Sequence, residues 1–196
     1  MRTPWGYEIM ESMDPLLSEE RFHTITNNAF RGNQRVGQAL LAASQVIRNY
    51  CGWHICPSME CEAEPMGSGN VRRLPAGYVS EIEDVYEKGE ITPSLEYEWR
   101  ENGLIRKNGC GRWAIGWKAV KVVYKAGYEI EAVPDLAEAV AAITAGVLSV
   151  TAGVTSESAD GVSISYSASA SSIAAALTSQ QKSALEPYKV VSSHAA

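Results

Sequence analysis

Four side chains that can bind metals or act in nucleophilic catalysis lie within one short stretch, and they are Cys51, His54, Cys56 and Cys61. Thiolate and imidazole are the ligands that structural zinc prefers, and a cysteine with a histidine is also the pair that a thiol-dependent enzyme uses. Zinc sites of this class repeat closely spaced ligand pairs, whereas this stretch has no C-x-x-C pair and Cys110 stands alone. The spacing favours buried thiols without a metal, and we predict no metal site and no cofactor.

Other catalytic signatures are weak. No serine occupies a G-x-S-x-G turn, and Gly67-Ser68-Gly69 lacks the lysine of a phosphate-binding loop. One acidic group is more typical of a solvated strand face than of paired catalytic acids, and its members are Glu81, Glu83, Asp84, Glu87 and Glu90. We therefore predict a protein that is not an enzyme. The alternative is a small intracellular metal- or thiol-dependent enzyme built on the Cys/His stretch.

The aromatic residues of the middle of the chain are more informative. They include four tryptophans and two tyrosines: Trp53, Trp99, Trp113, Trp117, Tyr97 and Tyr124. Most of them are expected in the core. Any that is exposed would mark a contact surface, because aromatic side chains dominate protein interfaces.

The composition argues against a protein that binds the phosphate backbone of nucleic acid. The chain has 196 residues and a formal net charge of -6, with a pI near 5.2. Nucleic-acid binders need clustered lysine and arginine to displace counterions from phosphates. The best membrane candidate, Ala139–Ser156, is broken by glycines and is rich in alanine and threonine, so we predict no membrane association. The cysteines are expected to be thiols, because nothing marks the chain as secreted.

Hydrophobic periodicity predicts an α+β chain. Apolar residues recur at helical spacing over residues 34–51, where Gly52 provides a stop, and Pro134 opens a second helix over residues 134–150. Between them, residues 78–125 alternate in the manner of strands, with Leu95, Tyr97 and Trp99 on one face and a turn at residues 101–103.

The flanking segments are less regular. Residues 1–33 are predicted to be an N-terminal arm. Residues 56–75 are predicted to be a loop from their Pro and Gly content, although their alternating glutamates also fit a frayed edge strand. Residues 151–196 are rich in Ser and Ala and have too few large apolar side chains to fold alone. We expect this tail to need a surface supplied by a partner.

The order of these features resembles the head–tail connector, or adaptor, proteins of long-tailed bacteriophages. The resemblance covers about residues 15–190. It is carried by these motifs in order: the helix end at residues 47–55, Leu74-Pro75, a strand with Val85, Tyr97-x-Trp99 with Gly103-Leu104, Val120–Tyr124 with Ala126-Gly127-Tyr128, Pro134-Asp135-Leu136, residues 155–158 and 163–166, and Leu185-x-Pro187-Tyr188.

The resemblance implies a small helical bundle core over residues 34–150 that carries the β-rich hairpin or sheet insertion, followed by an extended C-terminal partner-binding tail. It implies a homo-oligomeric ring, typically a dodecamer, docked on the portal protein and joined below to a stopper or tail-completion protein. Genomic DNA would pass through the ring without sequence-specific binding. Such a protein belongs to the neck of the virion and is present in the host cytoplasm during assembly. The alternative within this class is another neck component, a stopper or tail-completion protein.

Two sets of site residues follow from that resemblance. The tail supplies candidate portal-binding residues, which are Tyr166, Ile173, Leu177, Leu185 and Tyr188. Carboxylates on the hairpin or on the 56–75 segment are candidates to face the DNA channel, where they would repel phosphates; these are Glu60, Glu62, Glu64, Glu96 and Glu98.

Overall fold

The computed structural model of the chain describes residues 1–149, 156–159, 162–165 and 177–190, the two short middle stretches by their backbone alone. The chain forms two compact units, each discontinuous in sequence. A β unit comprises Met1–Met13, Cys51–Glu129 and Tyr188–Ala196, and a helical unit comprises Asp14–Tyr50 and Ile130–Pro187. The predicted α+β class is confirmed.

The described part of the helical unit is built on four helices: α1 (Glu19–Ile25), α2 (Val36–Cys51), α3 (Pro134–Ser149) and α4 (Ser179–Leu185). Helices α2 and α3 coincide closely with the predicted segments. The ends are capped as the residue types predict, since Ser18 accepts from the N–H of Arg21 and Thr178 forms a capping box with Gln181.

Helix α2 buries its predicted apolar face, with Leu40 and Ile47 fully enclosed. The same helix also buries a charged side chain, Arg48, whose Nη2 donates a hydrogen bond to the carbonyl of Asp14 at 2.8 Å. The N–H of Leu16 donates to Oγ of Ser44 at 2.9 Å. A buried arginine requires a hydrogen-bond acceptor, and the carbonyl of Asp14 supplies it. Together the two hydrogen bonds hold residues 14–17 against helix α2.

The β unit contains two antiparallel sheets. Their strands are β1 (Tyr7–Ile9), β2 (Met59–Ala63), β3 (Val71–Arg73), β4 (Val79–Glu87), β5 (Glu90–Ile91), β6 (Tyr97–Trp99), β7 (Leu104–Lys107) and β8 (Val120–Ala126). Strands β1-β2-β8-β4-β5 form the larger sheet in that order, and β3-β7-β6 form the smaller one. Strand β4 is irregular, with register shifts between Val79 and Glu81 and between Ile82 and Asp84.

The prediction of a loop over residues 56–75 is wrong at two places, because β2 and β3 lie within it. Strand β2 pairs on both sides, with β1 and with β8, so it is also not an edge strand. Met59, Cys61 and Ala63 are buried, while the intervening glutamates point away from the core. The alternation of buried and outward-facing side chains is therefore the better predictor of structure here. The prolines at either end flank the strand without interrupting its hydrogen-bonded ladder.

Strand β1 lies in the segment predicted to be an arm. Tyr7 and Ile9 are buried and pair with Ala63 and Cys61 of β2. Three residues are too few to show a period in the sequence. Their position is decided by the partner strand.

The strand predicted over Leu95–Trp99 is also shorter than expected. Ser94–Glu96 form a 3₁₀ turn, and Leu95, predicted on a half-buried face, is 90% exposed. Only Tyr97–Trp99 pair with β7. Pro93 sets the extended backbone before the turn, so the alternation starts two residues later than the side-chain pattern indicates.

The segment that follows helix α2 contains a hydrogen-bonded cluster around His54. Gly52 has φ +80°, which ends the helix as predicted, and Trp53 is fully buried. Nε2 of His54 donates to the carbonyl of Ala126 at 3.0 Å, and Nδ1 accepts from the hydroxyl of Tyr7 at 2.8 Å. The same hydroxyl accepts from the backbone N–H of His54 at 2.9 Å. Both ring nitrogens are thereby engaged.

Replacing Tyr7 with Phe is expected to lower the free energy of unfolding by about 1–3 kcal/mol, because the buried Nδ1 and N–H of His54 lose their partner. Urea unfolding at neutral pH measures the change. Tyr86→Phe is the matched control, since that hydroxyl donates to Oδ2 of Asp84 at 3.2 Å in a half-buried position. Equal stabilities for the two variants would contradict the structural role assigned to Tyr7.

Two remaining features complete the fold. Ser156–Ala159 and Val162–Ser165 pair as an antiparallel hairpin. Among the described residues, no helix has both the length and the apolar character to cross a bilayer.

Candidate interaction surfaces

The four Cys and His residues of the first stretch lie in the core. Cys51, His54, Cys56 and Cys61 are all buried, and Cys110 is exposed. Burial, and to a lesser extent the negative charge of Glu60, raises the pKa of Cys61 to about 12, so this thiol stays protonated at neutral pH. Among residues 1–149 and 177–190, no three His, Cys, Asp or Glu side chains are grouped in a way that could hold a metal ion.

The outer face of the larger sheet is acidic. We define the acidic face by its six carboxylates: Glu8, Glu60, Glu62, Glu81, Glu83 and Asp84. Lys121 and Lys125 of β8 lie among them, and Lys121 reaches Glu62 at 3.2 Å. Loss of hydration, followed by the negative charges of Glu60, Glu81 and Asp84, raises the pKa of Glu83, while Lys125 opposes the shift. The face therefore carries an excess of negative charge.

The carboxylates predicted to face a channel fall into two groups. Glu60 and Glu62 belong to the acidic face, and Glu64 is exposed just beyond the end of β2. Glu96 and Glu98 lie at the smaller sheet, where Glu98 pairs with Arg106 and Glu96 lies 4.0 Å from Lys107. The acidic face also contains four carboxylates that the resemblance did not single out. Glu81, Glu83 and Asp84 lie on the solvated strand face that their sequence pattern predicts.

The candidate portal-binding residues are buried wherever the structure describes them. Leu177, Leu185 and Tyr188 all lie in the core. The carbonyl of Tyr188 accepts a hydrogen bond from Nε1 of Trp53 at 2.6 Å. The ring of Tyr188 packs edge-on against the ring of Tyr128, with 5.9 Å between the ring centroids. Tyr166 and Ile173 lie outside the described residues.

Of the six aromatic residues singled out in the sequence, all of which the structure describes, Trp117 is the exposed one. It lies in the segment between β7 and β8, and we call residues 110–119 the tryptophan loop. Trp117 is 99% exposed and Ile115 is 92% exposed. An indole in this position leaves a large apolar area in water, which marks it as a candidate contact.

The base of the tryptophan loop is fixed. Trp113 is buried, its backbone N–H donates to the carbonyl of Gly69 at 2.9 Å, and Nζ of Lys107 lies 5.1 Å from the centroid of its ring. Nη2 of Arg72 donates to the carbonyl of Ala114 at 2.9 Å. At the far end, the N–H of Lys88 donates to the carbonyl of Ala119 at 2.8 Å. The exposed tip is therefore presented from anchored ends.

Glu87 is the charged group that secures this base. Its carboxylate accepts from Nζ of Lys107 and from the N–H of Ala114. Burial alone would raise the pKa of Glu87, but these two hydrogen bonds and the charges of Lys107 and Lys88 outweigh it, so the pKa is lowered.

This lowered pKa predicts a pH-dependent anchor. The stability that ionised Glu87 supplies is fully present above its reference pKa of 4.5 and is lost as the pH falls through the lower folded-state value. Glu87→Gln is expected to lower the free energy of unfolding by about 1–3 kcal/mol at pH 7. The difference from wild type should shrink in acid, which urea unfolding at pH 7 and pH 3 can measure.

The control for Glu87→Gln is Glu98→Gln. Glu98 is more than half exposed in its pair with Arg106, and such exposed pairs contribute little. A Glu87→Gln effect that is the same at both pH values would contradict the proposed role of the ionised carboxylate.

A shallow groove runs beside the loop tip. Its walls include Met66, Gly67, Ile115, Trp117 and the stem of Lys118. Met66 is more than half exposed, so apolar surface continues from the tip into the groove. The geometry suits an anchor side chain and its rim at a protein interface better than a site for a small ligand.

Comparison with known proteins gives a relationship of fold. No protein-family model and no curated protein matches the chain. Among solved structures, a chain of the neck of the empty gene transfer agent (GTA) particle, computed with C6 symmetry, aligns with a TM-score of 0.62 at 18% identity. A chain of the neck of the native GTA particle, computed with C12 symmetry, aligns with a TM-score of 0.62 at 14% identity.

Both alignments extend over almost the whole molecule. Each covers 94% of this chain and 95% of the other, so neither partner has a large unmatched domain. At these identities the comparison establishes the fold alone. The protein thus has the fold of chains that occur in the necks of gene transfer agent particles.

Proposed function

We propose that this protein is a structural component of a phage-like neck, a head–tail adaptor that assembles into a homo-oligomeric ring. The observation that carries the proposal is the near-complete alignment with neck chains of particles computed with C6 and C12 symmetry. The order of sequence motifs supports the same role independently. A dodecamer is the stoichiometry that we propose.

The ring would dock on the portal protein and receive a stopper or tail-completion protein on its other side. Portal binding through the C-terminal segment stays part of the proposal, with Tyr166 and Ile173 as candidates. Leu177, Leu185 and Tyr188 could take part only by leaving the buried positions that they occupy here.

The acidic face gives the proposed ring a physical means of passing DNA. Duplex DNA carries one negative charge for about every 1.7 Å of its axis, so a lumen lined by carboxylates repels it along its whole length. Six carboxylates against two lysines leave this face negative. We propose that the acidic face lines the channel, so that the genome moves through without adhering.

Imaging the purified protein by electron microscopy, alone and with the portal protein of the same particle, tests this function. We expect closed rings with a central opening whose wall includes the acidic face. A chain that forms neither a ring nor a portal complex would overturn the proposal. A ring whose lumen is lined mainly by lysine and arginine would overturn the role of the acidic face.

A further inference from the structure

We propose that neighbouring copies of this chain join through one asymmetric contact, in which the tryptophan loop of one copy binds in an apolar cleft on the smaller sheet of the next. The inference rests on the proposed ring and names the two surfaces that would close it. Both surfaces lie in the β unit.

The loop supplies the projecting half of this contact. Ile115 and Trp117 are the two most exposed large hydrophobic side chains at its tip, and the loop is held by hydrogen bonds at Trp113 and Ala114 on one side and at Ala119 on the other. A tryptophan that is fully desolvated on binding is a typical hot spot. Because the loop is anchored before binding, little conformational entropy is lost when a partner covers it.

The receiving half is a concave cleft on the sheet β3-β7-β6. Val71, Trp99 and Leu104 supply its apolar lining, and Glu98, Arg100 and Arg106 complete it. Val71 is 37% exposed, so part of the lining is open to solvent. A guanidinium beside an apolar wall suits an indole ring, because arginine stacks on aromatic faces.

The two halves are different surfaces, which favours a ring over a two-fold dimer. A head-to-tail contact closes a ring when each subunit offers one surface and receives the other. Tip-to-tip pairing would instead bring two copies of Lys118 together and repel them. In the asymmetric contact, Lys118, which follows Trp117 in the sequence, would approach Glu98 in the cleft and share this carboxylate with Arg106 of the same sheet.

Cross-linking of mixed single-cysteine chains tests the contact directly. Lys118→Cys and Glu98→Cys are prepared as separate proteins with tags of different size, each with Cys110→Ser because Cys110 is exposed on the same loop. Mild oxidation should produce the mixed disulfide dimer when the two are combined. Lys118→Cys homodimers in its place would indicate tip-to-tip pairing and overturn the proposal.

The strength of the contact is tested in the full-length chain without added cysteines. Trp117→Ala should raise the concentration for half-assembly by about tenfold or more, as expected of a hot spot. Its folding should not change, because the side chain is 99% exposed. Leu95→Ala is the matched control, since Leu95 is 90% exposed but lies outside both surfaces, and it should assemble like wild type.

The outcomes separate this contact from the proposed function. Rings that assemble equally well with Trp117→Ala, without a mixed cross-link, would overturn the contact and leave the ring function standing. Absence of any ring in the wild-type chain, with or without portal protein, would overturn the ring function and this contact with it.

Discussion

A chain that ends at residue 176 is expected to lose about 5 kcal/mol or more of its free energy of unfolding, which approaches the total stability of many domains. The removed segment includes Leu185, which is fully buried, and Tyr188, whose carbonyl accepts from the indole of Trp53. Loss of a buried leucine side chain costs about 2–5 kcal/mol, and an unpaired buried N–H adds about 1–3 kcal/mol. Urea unfolding followed by circular dichroism measures the loss.

The control is a chain that ends at Val190. It keeps all the contacts described for residues 177–190, including the hydrogen bond from the N–H of Val190 to the carbonyl of Cys51 at 2.9 Å. It should therefore unfold at the same urea concentration as the full chain. Equal stability of the chain ending at residue 176 would mean that α4 contributes nothing to the fold. The burial of Leu185 argues against a C-terminal segment that serves only a partner.

Reversing three charges on the acidic face is expected to raise the affinity of the chain for duplex DNA strongly. The variant carries Glu60→Lys, Glu81→Lys and Glu83→Lys, which join Lys121 and Lys125 on the same face. Five lysines against the three carboxylates that remain give this face a positive charge, and it should bind duplex DNA nonspecifically, with a Kd of about 10⁻⁴–10⁻⁶ M that weakens steeply with salt. Fluorescence anisotropy with a labelled duplex measures both the affinity and its salt dependence.

A second variant separates the local face from net charge. Glu11→Lys, Glu20→Lys and Glu138→Lys change three exposed carboxylates outside the acidic face and give the same total charge. This variant should bind DNA much more weakly, because its lysines are not clustered. Equal affinities would show that net charge alone keeps the chain from DNA. In the proposed neck, the clustered variant should also slow passage of the genome.

The helices were largely predictable because their signals are local. The apolar spacing of α2, the stop at Gly52 and the opening of α3 at Pro134 all lie within each helix or next to it. Even in helix α2, the local pattern does not predict that Arg48 is buried. Its acceptor is the carbonyl of Asp14, thirty-four residues earlier in the chain, and no periodicity reports such a partner.

The strands show where local signals fail. The sequence of strand β2 alternates cleanly, yet the prolines and glycines on either side of it favour a loop. Its pairing with β1 and β8 makes it a central strand of the sheet. Strand β1 has only three residues, and Tyr7 reveals its importance only through His54, forty-seven positions away. Strand pairing depends on residues distant in sequence, so these elements were decided by tertiary contacts.

The sequence by itself determined the α+β class, the two long helices, the acidic balance and the absence of any strong catalytic pattern. It also supplied five tryptophans, without distinguishing the buried from the exposed. Only the tertiary structure placed Trp53 and Trp113 in the core and Trp117 in solvent, and only strand register gathered Glu8, Glu60 and Glu83 on one face. The physical reason is that composition and periodicity are properties of neighbours along the chain, whereas a surface is made by neighbours in space.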